Sequence, residues 1–306
     1  MPLICGQALS YSPLLYRPRE SWSAVRAALV GDVVPPRAAD AETPERLDAY
    51  ARRLDDAFWF AGERLAASDL DAVVVLVADR DRVFDETNVP QLHVFAGEAI
   101  WGDPARPELG EFPAPAAFAC HAALGSHLAE ELARDGFDVS ETRGTFRPLG
   151  DPAGGVGGAL VEPLLRLGVR VPIVPIHVNA HVEPGISGRR MAPFGSALTR
   201  ALALAPLRVG LLASGGLSGE PGGAMAGWID DVLDAWVLAR LRFGRSCDLA
   251  PIFDVRSQSL RGSTREIRLW TAAGAACEAA GLRAHDGGYL ALHHAAVGIA
   301  FMHWGR

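Results

Sequence analysis

Residues 71–78 read DAVVVLVA, a near-continuous apolar run rich in β-branched side chains. A strand with one wet face alternates polar and apolar residues, so an unbroken run predicts a strand covered on both faces. Upstream, Thr43-Pro44-Glu45 supplies a helix start, with Thr43 as N-cap and a proline in the first turn. Leu47, Tyr50, Ala51, Leu54 and Phe58 then fall on one stripe at helical spacing. Downstream, VRVPIVPIHVN (169–179) and LRVGLLA (207–213) read as two further buried strands. Helices are expected over 115–135, 189–204, 225–242 and 263–280. Strands alternating with helices predict an α/β fold: one domain over residues 1–306, with a central, mostly buried β-sheet flanked by helices. The proline-rich segments 100–115 and 145–163 are expected to be long loops over a sheet edge.

Composition narrows the function classes. With 306 residues, 49% of them apolar and 21% charged, the chain has the make-up of a soluble protein with a sizeable core. A net charge of −7 and scattered basic residues argue against a nucleic-acid partner. Cys5, Cys120, Cys247 and Cys277 are far apart and form no Cys-x-x-Cys pair. The sequence shows no signal-peptide pattern and no apolar segment of the ~18 residues a membrane span needs. A cytoplasmic protein with reduced thiols and no membrane contact is expected.

Local motifs carry little by themselves. DPAGGVGGAL (151–160) is glycine-rich but lacks Rossmann and P-loop spacing, so it reads as a flexible loop. His121 and His127 are six apart, His177 and His181 flank a strand end, and His293-His294 lie in an apolar segment. No local spacing among them gives two histidines and a carboxylate, so structural roles are the default. Ser263-Thr264-Arg265-Glu266 fits a capping box at a helix start. SGGLSGEPGG (214–223) places glycines where a strand passes into a helix, which suits close approach of a ligand to backbone.

Five stretches, taken in order, resemble the class III extradiol ring-cleavage dioxygenases, the LigB-type superfamily, and most nearly its 2,3-dihydroxyphenylpropionate dioxygenase branch. LSYSPLL (9–15) is similar to a family LSHSPL. VVVLVADRDRVFDETNVP (73–90) is similar to a strand ending in Asp-His with a following F-D segment. VPIVPIHVNAHVEPGISGRRM (171–191) resembles a VPVLPVFIN strand and its Pro/Arg loop. SGGLSGEPGG resembles SGGLSH, and GSTREIRLW (262–270) resembles KSTHEIKTW.

The resemblance implies a mononuclear Fe(II) held by two histidines and a glutamate, with two further histidines handling protons. Carried over residue by residue, the iron histidines fall on Tyr11 and on Arg80 after Asp79. The proton-handling histidines fall near Gly158 and on Gly219; the glutamate is retained as Glu266. A guanidinium has no lone pair to donate, so Arg80 is no iron ligand. The expectation is therefore a degenerate metal site with no cofactor, in which Arg80 takes the vacated metal position and pairs with Glu266 while Tyr11 adds a hydroxyl. Asp79, Asn179, Arg190, Ser218 and Gly219 are the candidate substrate-binding residues. Fe(II) remains the cofactor if His93, His177 or His181 rebuild the ligand set. The implied partner is a small phenolic or aromatic acid in aromatic-compound metabolism. A homo-oligomer is expected, with a catalytic dioxygenase paralogue as the alternative partner of a non-catalytic subunit.

Overall fold

The computed structural model describes residues 2–79, 83–84, 88–104, 106–144, 155–220 and 225–306. In chain order the elements are β1 (Leu3–Leu9), α1 (Trp22–Val30), α2 (Pro44–Ala66), β2 (Ala72–Val77), β3 (Leu92–Phe95), β4 (Ala99–Gly102), β5 (Ala116–Ala119), α3 (Ala122–Arg134) and β6 (Val139–Thr142). They continue with α4 (Gly158–Arg166), β7 (Ile173–Val178), α5 (Gly188–Ala203), β8 (Val209–Ser214), α6 (Asp231–Arg242), α7 (Ile267–Ala279), β9 (Arg283–Leu292) and β10 (Val297–Gly305).

One eight-stranded mixed sheet organises the chain, in the order β6-β3-β7-β2-β8-β1-β10-β9. The apolar run at 71–78 forms β2, which pairs in parallel with β7 on one side and β8 on the other. Every residue of β2 is buried, and alternate side chains enter two separate cores. Ala72, Val74 and Leu76 pack with α3, α5 and α7, whereas Val73, Val75 and Val77 pack beneath α2 and α4. A helix layer on each face explains why the strand shows no polar alternation. The sheet turns antiparallel where β3 meets β7 and at its far edge, where β10 pairs with β1 and β9.

The helix from Pro44 forms with Thr43 as its cap, the hydroxyl accepting from Arg46 N at 3.4 Å. Three expectations need correction. The first part of 115–135 is β5, paired with β4, and α3 begins only at Ala122. The end of the 145–163 segment is helix α4, which tolerates Pro163 inside it. The helix expected from 225 begins at Asp231, where Asp230 accepts from Leu233 N at 2.9 Å. No helix among the described residues is long and apolar enough to cross a membrane.

Candidate functional site

The carboxyl ends of the parallel strands β1, β2 and β8 open toward one region, the usual ligand position in open α/β sheets. Tyr11 follows β1, Ala78 and Asp79 follow β2, and the 215–220 loop follows β8. Tyr11, Ala78, Gly158 and Glu220 line a common cavity of about 320 Å3, together with Arg17, Asp103, Glu108 and Glu162. Tyr11 and the end of β2, which lie in family-like stretches, and Gly158, near which a proton-handling histidine falls, thus reach one pocket.

The chemistry of its wall rests on Glu162, which the sequence did not single out. The Tyr11 hydroxyl donates to Glu162 Oε2 at 2.8 Å, and the Arg17 guanidinium bonds Glu162 Oε1. Arg17 also donates to Glu108 Oε1 at 2.6 Å. Arg17 and Glu162 are both buried. Burial, reinforced by the Glu162 charge, holds the Tyr11 phenol well above its ordinary range, so it stays a neutral donor. Burial also pushes the Glu162 carboxyl up, against the opposing pull of Arg17. The sequence signal was a single carboxylate inside the apolar run ALVEPLL.

Gly158 and Tyr11 fit together. A Cβ at Gly158 would lie 2.5 Å from the Tyr11 hydroxyl oxygen, so the phenol occupies the space of any larger residue there. Gly219 has φ 152°, and a Cβ on it would collide with the Ala296 carbonyl. This backbone therefore has no room for a histidine at 219.

Glu266 is 2% exposed and meets His181, with Nε2 to Oε1 at 2.7 Å. Its other oxygen accepts from Gly216 N at 2.8 Å. The capping-box expectation gives way here, because residues Gly262–Glu266 wind as a 3-10 turn and the Ser263 hydroxyl reaches Glu220. The expected partner Arg80 lies outside the described residues.

The remaining candidates make local bonds. Both carboxylate oxygens of Asp79 accept from Val83 N, at 3.1 and 3.3 Å. Asn179 closes a turn on Val182 through both ends of its amide. Arg190 reaches Asp138 and the Gly136 carbonyl. Ser218 is 1% exposed and joins Asp234, its N–H donating to Oδ1 at 2.9 Å and its hydroxyl to Oδ2 at 2.8 Å. Gly219 N donates to Thr264 Oγ1 at 3.1 Å. His93 and His177 form a buried pair, with their Nδ1 atoms 3.2 Å apart.

An Fe(II) triad needs three converging lone-pair donors. Tyr11 is instead a donor to Glu162, and Glu266 is bonded to His181. Among the described residues no three His, Cys, Asp or Glu side chains converge on a metal position. The described donor set does not fit the triad.

The fold defines an α/β protein with a pocket at its parallel strand ends, and the comparisons give the family. The family described as the catalytic LigB subunit of aromatic ring-opening dioxygenase matches residues 35–301, so the chain belongs to the LigB family. A 2,3-dihydroxyphenylpropionate/2,3-dihydroxicinnamic acid 1,2-dioxygenase of Burkholderia vietnamiensis is 33% identical over 186 residues, which is 61% of this chain and 53% of that protein. A protein of the same name from Klebsiella pneumoniae is 32% identical over 196 residues, covering 63% of this chain and 54% of that protein. The match thus spans about half the length of these relatives. The crystal structure of uncharacterized protein JW3007 from Escherichia coli K12 superposes with a TM-score of 0.52 at 15% identity, covering 98% of this chain and 99% of that one, a likeness of fold.

Proposed function

We propose that this chain is a LigB-family protein of aromatic-compound metabolism whose usual Fe(II) position has been rebuilt as a metal-free pocket for a phenolic acid. The observation that carries it is the mutual fit of Tyr11, Gly158 and Glu162. The phenol fills the space that a side chain at 158 would need, and it is locked by its bond to Glu162. The described wall carries Asp103, Glu108, Glu162 and Glu220 against the one cation Arg17, which suits hydroxyl donors on the ligand. In this reading Arg80, which falls on the position of a family iron histidine, supplies the cation for the ligand's acid group, and Glu220 lines the pocket. Asp79, Asn179, Arg190 and Ser218 then support it by holding loops. The chain acts alone, as a homo-oligomer, or beside a catalytic paralogue.

The test is anaerobic loading with Fe(II), followed by metal analysis and titration with 3-(2,3-dihydroxyphenyl)propionate. Binding of the phenol with iron far below one equivalent is expected. Near-stoichiometric iron lost in Glu266→Ala would refute the proposal. That result would support a second reading, favoured by the His181–Glu266 contact: an active Fe(II) dioxygenase with a rearranged ligand set.

A further inference from the structure

A second cavity lies beneath α2, formed by other residues than the pocket at Tyr11. Gln7 on β1 is the register partner of His303 on β10, and His303 is the partner of His285 on β9. Cross-strand partners share a face, so three polar side chains stand in a row where a covered sheet face is normally apolar. Over them α2 presents Ala57, Phe60, Ala61 and Arg64, one face at i, i+3, i+4 and i+7. The two alanines leave a hollow of about 190 Å3, floored by Leu9 and Phe301.

Three polar atoms of this hollow are unpartnered. Gln7 is 3% exposed, and its Nε2 donates to the Ala61 carbonyl at 2.8 Å. A carbonyl can only accept, so that bond fixes the amide and leaves Oε1 as the free acceptor. Gln7 Oε1, His303 Nδ1 and Arg64 Nε are all buried without a hydrogen-bond partner, and all three residues line the hollow. Buried polar groups are ordinarily satisfied, and three orphans around one cavity call for a ligand with matching groups. The mouth is cationic and aromatic: the Arg64 guanidinium lies 4.4 Å from the Phe60 ring centroid, and Phe60 is 49% exposed. Burial, then the Arg64 charge, holds the His303 imidazole down to about 4, so it meets a ligand in its neutral form.

We infer that this hollow is a separate binding site for a small aromatic carboxylic acid with a hydroxyl or amine at its far end. The carboxylate sits at Arg64 and His285, the ring lies over Leu9 and Phe301, and the far donor bonds Gln7 Oε1. The size fits, since an apolar cavity of roughly 150 Å3 in another protein holds a benzene ring. The site is independent of the pocket at Tyr11 and stands whether or not that pocket binds iron.

The probe is 4-hydroxybenzoate, titrated calorimetrically into the full chain, with benzoate as the comparison. In the wild type, with the Tyr11 pocket first saturated by 3-(2,3-dihydroxyphenyl)propionate, 4-hydroxybenzoate is expected to bind about tenfold more tightly than benzoate. Ala61→Leu, which fills the hollow, should weaken binding at least tenfold. Gln7→Leu should abolish the preference for the hydroxylated acid while benzoate still binds. Should Ala61→Leu fail to fold, the Gln7→Leu comparison decides alone. A wild-type preference that survives Gln7→Leu, affinity unaltered by Ala61→Leu, or a soaked crystal with only water in the hollow would overturn the inference.

Discussion

Two buried carboxylates in this molecule share a motif and differ in purpose. Glu162 and Asp234 each accept from a tyrosine hydroxyl at 2.8 Å, from Tyr11 and Tyr289 respectively. Glu162 also has a guanidinium beside it and lines a cavity. Asp234 is 0% exposed, and its other partners are the neutral N–H and hydroxyl of Ser218. With neutral donors alone, burial dominates and lifts Asp234 to about 6. Two chain segments are joined in each case, but only the Glu162 pair faces open space. The charge-balanced carboxylate is also raised by burial, with Arg17 pulling against that rise, and it stands at a cavity wall. An unbalanced one serves as scaffold, here pinning the loop after β8.

The sharpest way to break the comparison is to remove the cation. Arg17→Met leaves Glu162 and Glu108 buried without their shared partner, and breaking a buried pair in this way costs about 3–5 kcal/mol. Denaturant unfolding at pH 8 should show the full loss. At pH 5 the loss should shrink, because Glu162 then escapes by taking up a proton. A loss that does not change with pH would mean Arg17 contributes packing and not charge balance.

Acid titration gives the next largest effect and sets the two kinds of buried group against each other. Asp234 is raised from 3.8 to about 6 in the fold, so the native state holds the extra proton and stability falls as pH rises between those values. His93 and His177 behave oppositely. They are lowered from 6.5 to about 3 and about 4, chiefly by burial, so stability is lost as pH falls below 6.5. Between pH 7 and 5 each imidazole forfeits roughly 2 kcal/mol, while Asp234 returns somewhat more than half of one such loss. These three groups together should give an acid destabilisation of about 2 kcal/mol in denaturant midpoints, to which His303, also lowered, adds. Asp234→Asn removes the offset and should deepen it; an unchanged pH profile in that variant would show that Asp234 is not the group lifted to about 6.

Strand pattern made the sheet legible because a two-sided core demands an unbroken apolar run, and 71–78, 169–179 and 207–213 all supplied one. The edge strand β9 and its neighbour β10 escaped. Their sequence, RAHDGGYLAL and VGIAFMHWG, mixes polar residues into the pattern, and Gln7 with His303 shows why: a cavity lies under that part of the sheet. At the site, the five family-like stretches located the strand ends, and Tyr11 and Gly158 do share a pocket. Glu162, Arg17 and Asp234 were not legible, because each acts through a partner more than 15 residues away in sequence, a pairing no local spacing reveals. His181 was named only as a substitute ligand; its bond to Glu266 crosses 85 residues.

The smallest effects come from the two tyrosines, and they sharpen the comparison most. Tyr289→Phe leaves Asp234 with Ser218 alone in a site closed to water, so a cost of about 1–2 kcal/mol is expected. Tyr11→Phe removes an equally short bond, but the vacated Glu162 oxygen faces the cavity and can be solvated, which limits the cost to about 0.5–1 kcal/mol. Ligand affinity should rank the two the other way. Tyr289→Phe should leave phenol binding at the Tyr11 pocket within twofold, since the Asp234 cluster contributes no lining residue there. Tyr11→Phe should shift it by about tenfold, the worth of one good hydrogen bond. Equal stability costs in the two variants, with phenol binding untouched in both, would reduce Glu162 to a second scaffold carboxylate like Asp234.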